Sequence, residues 1–379
     1  MLSYILGFVA LYFLTYLLIT YLEEEYEDEY AQEGPFVTIL IPAYNESATI
    51  SDTIRSALAL DYPGFEVIVI DDGSTDDTHE KAAGCDVQVV KQANQGKAAA
   101  LNYGISLAKG ELIATLDADS YVDSEALRYM VAYFKDPKVM AVTPTMKVMG
   151  KGILANMQKS EYMLSNLMSK IFSLMDSVLV TPGPFSVYRA SVFRSLGGFD
   201  GSTLTEDNDM ALRIQGADFR IRSSKNAIVC TNVPQNLGAL FRQRKRWYTG
   251  YIENLVKHAR LFGPRYGELG ALVLPATTLL LLLSLARIVM DGYYALQSLS
   301  QGSAPYTIPL ISSPFEILSI IAFAIGLLLF YFSILEAKEK PGFQMFVHLA
   351  LISLLSPILY VHAFFRRAYE KITRRAAKW

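Results

Sequence analysis

The chain has 379 residues, 52% of them apolar and 19% charged, with a formal net charge of −3. Soluble domains carry about 25% charged residues, so part of this chain is built for an apolar medium, and the lack of basic excess argues against a nucleic-acid binder. The two cysteines, Cys85 and Cys230, lack CxxC spacing and the four histidines (His79, His258, His348, His362) form no HExxH cluster, which disfavours a disulfide framework or a thiolate or gluzincin-type zinc site; no GxSxG elbow or P-loop is present either.

Residues 2–22 form an almost unbroken apolar run. At ~1.5 Å per residue it spans about 30 Å, the thickness of a bilayer's hydrocarbon. A cleaved signal peptide would need a basic start and a small-residue cleavage site, and neither is seen. The acidic stretch that follows makes 23–35 a solvated linker. Residues 37–45 are a β-rich apolar run ending in Pro42-Ala43-Tyr44-Asn45-Glu46. A helix is predicted over 47–60 with Ser47 as its N-cap. A buried strand over 65–70 ends at Asp71-Asp72-Gly73-Ser74-Thr75-Asp76. Then come a strand over 87–91, a helix over 97–108 and a strand over 111–116.

This β-α-β-α order predicts a mostly parallel sheet with helices on both faces. Ligands of such sheets bind beyond the carboxyl ends of the strands, and the acidic motifs fall at those ends. No GxGxxG opens the first helix, so ordinary dinucleotide binding is disfavoured. Carboxylates placed where a pyrophosphate would lie require a divalent cation between the two kinds of anion. Asp117-Ala118-Asp119 fits that role, since two carboxylates can share a hard ion and leave positions open for phosphate oxygens.

Farther along, 208–215 reads as a helix. Asp207 is therefore either a working carboxylate or a first-turn acid favoured by the helix dipole. Three more apolar segments follow, over 269–290, 315–335 and 343–365. Arg287 and Asp291 are four apart and able to pair. The cations Arg242, Arg244, Lys245, Arg246, Lys257, Arg260 and Arg265 crowd before the second span and place the central domain in the cytosol. Residues 292–314 contain no lysine or arginine and belong outside, whereas Lys338 and Lys340 return the chain inside. A full last crossing would leave the basic tail 366–379 outside, against the rule, and Pro357 suits a bent or interfacial helix instead. The expectation is a multi-pass protein of the plasma membrane, with the last crossing left open.

With these motifs the chain resembles family 2 glycosyltransferases of the GT-A fold, especially the membrane synthases of cellulose, chitin, hyaluronan and poly-N-acetylglucosamine. The likeness runs over about 36–260. It implies a GT-A domain over 36–240, an interfacial helix over 241–266 and a membrane region over 267–365. By that resemblance Pro42, Tyr44, Glu46, Asp71 and Asp72 belong to the nucleoside pocket, and Lys97 of Asn94-Gln95-Gly96-Lys97 to a loop beside the nucleotide. Asp117 and Asp119 form the metal motif for Mg²⁺ or Mn²⁺, with Asp119 the more direct ligand. Asp207 of Thr205-Glu206-Asp207 is the general base, with Glu206 on the acceptor side. Gln243, Arg246 and Trp247 form QxxRW, the first two toward the donor and Trp247 toward the acceptor. Gly183, Pro184 and Phe185 line the acceptor path.

The blander readings stay beside these. Lys97 can be a solvated lysine at a helix start, Trp247 an interfacial anchor, and the basic run at 244–246 a patch drawn to anionic lipid. The resemblance implies inverting transfer from a UDP-linked sugar to a growing β-linked polysaccharide, with membrane lipids and a second copy of the chain as partners. The alternative is single transfer to a polyprenyl phosphate or glycolipid, and a non-catalytic scaffold is the third class. One span before the domain is fewer than in the larger synthases, and no counterpart of the cellulose synthases' carboxy-terminal regulatory domain is expected.

Overall fold

The computed structural model describes residues 2–23, 28–301, 316–353 and 360. The first helix, α1, runs over Leu2–Glu23. An alternation follows of β1 (Val37–Ala43), α2 (Ile50–Leu58), β2 (Phe65–Asp71), α3 (Thr78–Ala83), β3 (Gln88–Lys91), α4 (Lys97–Leu107) and β4 (Leu112–Leu116). Next come β5 (Ser120–Val122), α5 (Ala126–Ala132), β6 (Val139–Met149), α6 (Ile153–Leu174), β7 (Phe185–Arg189), α7 (Ala190–Leu196), α8 (Glu206–Gly216) and β8 (Arg220–Asn232). The chain continues through α9 (Leu237–Lys257), α10 (Leu274–Ser300) and α11 (Glu316–Glu336), and through α12 over Phe343–Ser353.

Among the described residues the strands form one eight-stranded sheet ordered β3-β2-β1-β4-β7-β6-β8-β5. The four strands from β3 to β4 are parallel, as the alternation predicts. Strand β7 runs against both β4 and β6, and β5 runs against β8. The continuous apolar runs arise because both faces are covered. Successive residues of β1 serve opposite cores. Ile39 and Ile41 pack with Ile50 and Ile54 of α2 and Leu127 of α5. Leu40 packs with Leu101 of α4 and Met210 of α8 on the other face. A pleat that sends neighbours to opposite sides thus fixes which helix covers which face.

The apolar segments join this domain through a third core, in which Phe13 and Leu17 of α1 meet Leu167 and Ile171 of α6, Val273, and Leu329 of α11. Three helices are long and apolar enough to cross a membrane: Tyr4–Glu23, Leu269–Ser300 and Ile317–Glu336. The second outruns the expected 269–290 by ten residues, and its Arg287–Asp291 pair closes at 2.8 Å. Within 343–365 the described helix is Phe343–Ser353; most of 354–379, and so the expected last crossing and the basic tail, lie outside the described residues, as do 302–315, most of the loop expected outside.

Two expectations need correction. Ser47 does not cap α2, which starts at Ile50 with Thr49 at the N-cap. The Ser47 backbone N–H instead donates to Asp76 at 3.2 Å, so it belongs to the turn that joins the ends of β1 and β2. Nor is the acidic linker wholly solvated. Ala31 is buried and its N–H donates to the Arg128 carbonyl at 3.2 Å, while Arg128 donates back to the Gln32 carbonyl. Asp28 accepts from Tyr133, from the Ser224 hydroxyl at 2.8 Å and from the Asn226 N–H at 2.6 Å. The segment is a strap along the edge of the domain. Because charge-assisted bonds exceed neutral ones, Asp28→Ala is expected to lower stability by about 1–3 kcal/mol. Urea midpoints of the solubilised protein measure this, and an unchanged midpoint would refute the strap.

Candidate active site

Strand ends β1, β2 and β4 deliver their acids to one rim of the sheet. The Asp71 carboxylate is buried; its Oδ1 accepts from the Ser74 N–H at 2.8 Å and its Oδ2 lies 3.3 Å from Lys91 Nζ. Burial pushes this carboxyl up, but the Ser74 bonds and Lys91 prevail and hold it below the usual range. Asp72 accepts from Gln92 at 2.7 Å and from the backbone N–H groups of Gln95 at 3.0 Å and Gly96 at 2.8 Å. Both carboxylates are thus engaged inside the protein. Asp72 fastens the loop that carries Lys97. Tyr44, by contrast, leaves half its surface exposed, and Pro42 is partly covered at the end of β1.

Lys97 opens α4 and its ammonium reaches into the acidic rim. It pairs with Asp117 Oδ1 and lies 3.8 Å from Glu206 Oε1. Those negative neighbours outweigh burial and raise it well above an ordinary lysine. This is not the solvated lysine of the blander reading. Gly183 approaches the pair so closely that a Cβ there would lie 2.6 Å from Lys97 Nζ and 3.0 Å from an Asp117 oxygen. The Asp117 N–H also donates to the Pro184 carbonyl at 3.4 Å. Gly183 and Pro184 therefore line the rim. Phe185 does not: it is fully buried, paired with Leu116 across the β4–β7 ladder and packed in the sheet core. Its side chain cannot line an acceptor path.

Asp119 has a different environment. Ser120 donates to it at 3.3 Å, and among the described residues no cation forms an ion pair with it. Burial first, and then the charges of Asp117 and Glu46, push its carboxyl up to about 6. Glu46 is also raised by its own burial and by Asp117 and Asp76, although it accepts from the Thr49 hydroxyl at 2.9 Å. An under-compensated set of hard oxygens suits Mg²⁺ or Mn²⁺. Among the described residues no three His, Cys, Asp or Glu side chains form a complete metal cage. Phosphate oxygens of a ligand would have to complete the shell, which is how Mg²⁺ is commonly held.

Asp207 stands in the first turn of α8. Its Oδ1 accepts from the Asn208 N–H at 2.8 Å, and its carbonyl accepts from the Thr181 hydroxyl at 2.9 Å. A helix dipole alone would lower the carboxyl. Burial and the adjacent Glu206 charge instead push it up to about 6, against the pull of Lys97 and Arg246. Glu206 is buried and faces Lys97.

Helix α9 buttresses this turn. Asn254, fully buried, donates to the Thr205 carbonyl at 3.0 Å, the Thr205 hydroxyl at 3.1 Å and Asn208 Oδ1 at 2.8 Å. A Cβ on Gly250 would lie 2.4 Å from the Thr205 hydroxyl, so only glycine allows that approach. Arg246 is exposed, with Nη1 3.5 Å from the Leu204 carbonyl on the side of Asp207. Gln243 buries an Oε1 that finds no partner among the described residues. Arg244 is not the lipid-facing cation of the patch reading. It is buried, pairs with Glu161 at 2.5 Å and lies 4.1 Å over the Trp247 ring. One face of Trp247 is therefore covered, and the ring also packs on the cluster of Ala155, Tyr162 and Val233.

Sequence reasoning missed Glu161, Asn254 and Asp209. Asp209 is fully buried and accepts from Arg213 at 2.8 Å, Lys257 at 2.6 Å and His258 at 2.7 Å, which ties α8 to the end of α9. A charge-dense first turn in α8 was the only local signal for it.

A carboxyl raised above its unfolded value favours folding only where it is protonated, so ionised Asp207 opposes folding at neutral pH. Asp207→Asn is expected to raise the melting temperature at pH 8. The gain should shrink as pH falls through about 6 and vanish below about 4, the ordinary aspartate value. Thermal scans across pH measure it, and a lower melting temperature at pH 8 would contradict the assignment.

The family model described as glycosyltransferase like family 2 matches residues 34–250. A poly-beta-1,6-N-acetyl-D-glucosamine synthase of Staphylococcus epidermidis is 35% identical over 234 residues, which cover 60% of this chain and 57% of that protein. The synthase of the same name from Staphylococcus aureus strain COL is 37% identical over 229 residues, covering 58% and 56%. The chain thus matches a little over half the length of these relatives. Among solved structures, a mannosyltransferase of Pyrobaculum calidifontis in complex with GDP-Man and Mn²⁺ superposes with a TM-score of 0.65 at 21% identity, over 93% of this chain and 98% of that one. The fold is GT-A, and the chain belongs to the family 2 glycosyltransferases.

Proposed function

We propose that the chain is an inverting synthase that extends a β-linked polysaccharide from a UDP-linked sugar, with its catalytic domain on the cytosolic side of the plasma membrane. The observation that carries this reading is Lys97, which touches the proposed metal side at Asp117 and the proposed base side at Glu206. In this reading donor and acceptor chemistry share one rim. The names of the staphylococcal relatives support a polymeric product.

A divalent ion held by Asp119 and Asp117 would supply Lewis-acid neutralisation of the diphosphate. Tyr44 offers an exposed ring for the nucleobase beside Pro42. Asp71 and Asp72, already engaged, shape the nucleoside turn and hold the Lys97 loop. Lys97 fixes Asp117 and places a positive charge where the diphosphate departs, with Arg246 as a second cation. Asp207 takes the proton from the acceptor hydroxyl while its oxygen attacks the anomeric carbon. The bond to the diphosphate breaks on the opposite face, which inverts the centre. Trp247, backed by Arg244, presents its remaining surface as a platform for the acceptor sugar, and Gly183 and Pro184 keep the approach narrow.

A second reading has its own support. The three candidate spans among the described residues are few for a polymer channel. They suit transfer of one sugar to a polyprenyl phosphate or glycolipid, or a synthase that works as a homo-oligomer. Purified protein incubated with Mn²⁺ and radiolabelled UDP-N-acetylglucosamine, UDP-glucose or GDP-mannose, with products sized, separates these outcomes. Long chains beside unused primer are expected; uniform one-sugar addition to lipid would replace the polymer reading. Excess chelator should abolish transfer and Mg²⁺ or Mn²⁺ should restore it, and full activity in chelator would remove the metal.

The base is tested separately. Asp207→Asn should reduce transfer at least ~10²-fold at saturating donor while donor affinity changes little. Loss of donor binding with turnover retained would make Asp207 a binding residue instead.

A further inference from the structure

Away from the strand ends, a cavity of ≈ 670 Å³ lies where the catalytic domain meets the inner ends of α1 and α11. Five lysines line it: Lys147 on β6, Lys159 and Lys170 on α6, Lys225 on β8 and Lys338 just past α11. Among the described residues Glu336 and Glu339 are the acids in its wall, against the five lysines. Glu336 takes Lys170 at 2.9 Å and also accepts from Tyr21 at 2.9 Å, while Glu339 takes Lys159 at 2.7 Å. No such ion pair balances Lys147 or Lys338 among the described residues.

Two further facts argue that this charge is not incidental. Like charges gathered in a crevice beside apolar helices repel more strongly than on an open surface. A fold with no use for them would place neutral residues there. Lys338 also sits at φ +57, the left-handed position after a helix end that glycine or asparagine fills at less strain. The geometry points to a binding site for a phosphate-bearing anion, held by Lys147, Lys338 and the lysines of α6 at the level where two candidate spans leave the bilayer. Lysine ammonium groups bind phosphate as point charges and tolerate varied geometry. The headgroup of an anionic phospholipid and a soluble phosphate compound share that chemistry. The site does not overlap the acidic rim, but Tyr162 of its wall also packs in the cluster behind Trp247.

The test uses the full chain in nanodiscs and follows acylation of individual lysines by mass spectrometry. The discs contain phosphatidylcholine alone, phosphatidylcholine with phosphatidylglycerol, or phosphatidylcholine alone with added pyrophosphate. Labelling of Lys147, Lys159 and Lys338 is expected to slow roughly fivefold with one of the two anions, while Lys135, which pairs with Glu29 elsewhere, is unchanged. Protection by phosphatidylglycerol alone identifies a lipid headgroup, and protection by pyrophosphate a soluble phosphate. The double variant Lys147→Gln, Lys338→Gly should lose the protection of Lys159 yet keep its fold, because glycine suits the left-handed position. No protection by either anion, equal slowing at Lys135, or undiminished protection of Lys159 in the variant overturns the site.

Discussion

The arrangement depends on one ammonium group among carboxylates. Lys97 pairs with Asp117 and approaches Glu206, and without it the ends of β4 and α8 would bring uncompensated negative charge together at the rim. Coulomb repulsion between acids a few ångströms apart amounts to several kcal/mol in a partly buried setting. The cation lets the acids gather, but it only partly offsets burial and the neighbouring carboxylates at Asp119 and Asp207, so both carboxyls stay raised to about 6. Glycine at 183 suits the same constraint, since a side chain there would push the ends of Lys97 and Asp117 out of place.

The supporting shell follows from holding that cation and its partners still. Asp72 spends its carboxylate on the backbone of the Lys97 loop. Asn254 spends its amide on the turn before Asp207. Asp209, with three cationic or ionisable partners, pins the far side of α8 to α9. Each is a buried polar group fully committed to the protein, which is how rigid sites are built.

Much of this was legible in the sequence because it is local. Apolar runs such as 65–70 end at acids, so the positions of Asp71, Asp117 and Asp119 at the ends of β2 and β4 were legible from pattern alone. The family resemblance supplied roles that spacing could not. The second half of the sheet was less visible. Strand β8 interleaves charges with buried residues over Arg220–Asn232, and β6 loses its apolar character past Val142. Neither shows a clean period. Pairs distant in sequence were beyond reach. Arg244 looked like one of several basic residues before a membrane helix, and only its meeting with Glu161, 83 positions away, makes it a buried support for Trp247. Phe185 was misjudged for a related reason: the turn before it faces the site, but the pleat turns Phe185 itself inward.

The contact between α9 and α8 has a mechanical meaning. Asn254 makes three donor contacts with one buried amide and accepts from Thr203 at 2.9 Å, and Gly250 lies against Thr205 with no room for a side chain. Turning or sliding α9 by a single residue would strand several buried polar groups, at about 1–3 kcal/mol each, and drive a side chain into Thr205. The helix therefore has one register against the turn that carries Asp207. Trp247 rides on that helix, about two turns before Asn254, at a spacing set by the helical rise. The proposed platform and the proposed base would form a rigid gauge. On the proposed roles, the depth at which an acceptor sugar rests would be measured from the proton acceptor by backbone geometry alone, whatever the apolar helices beyond α9 are doing.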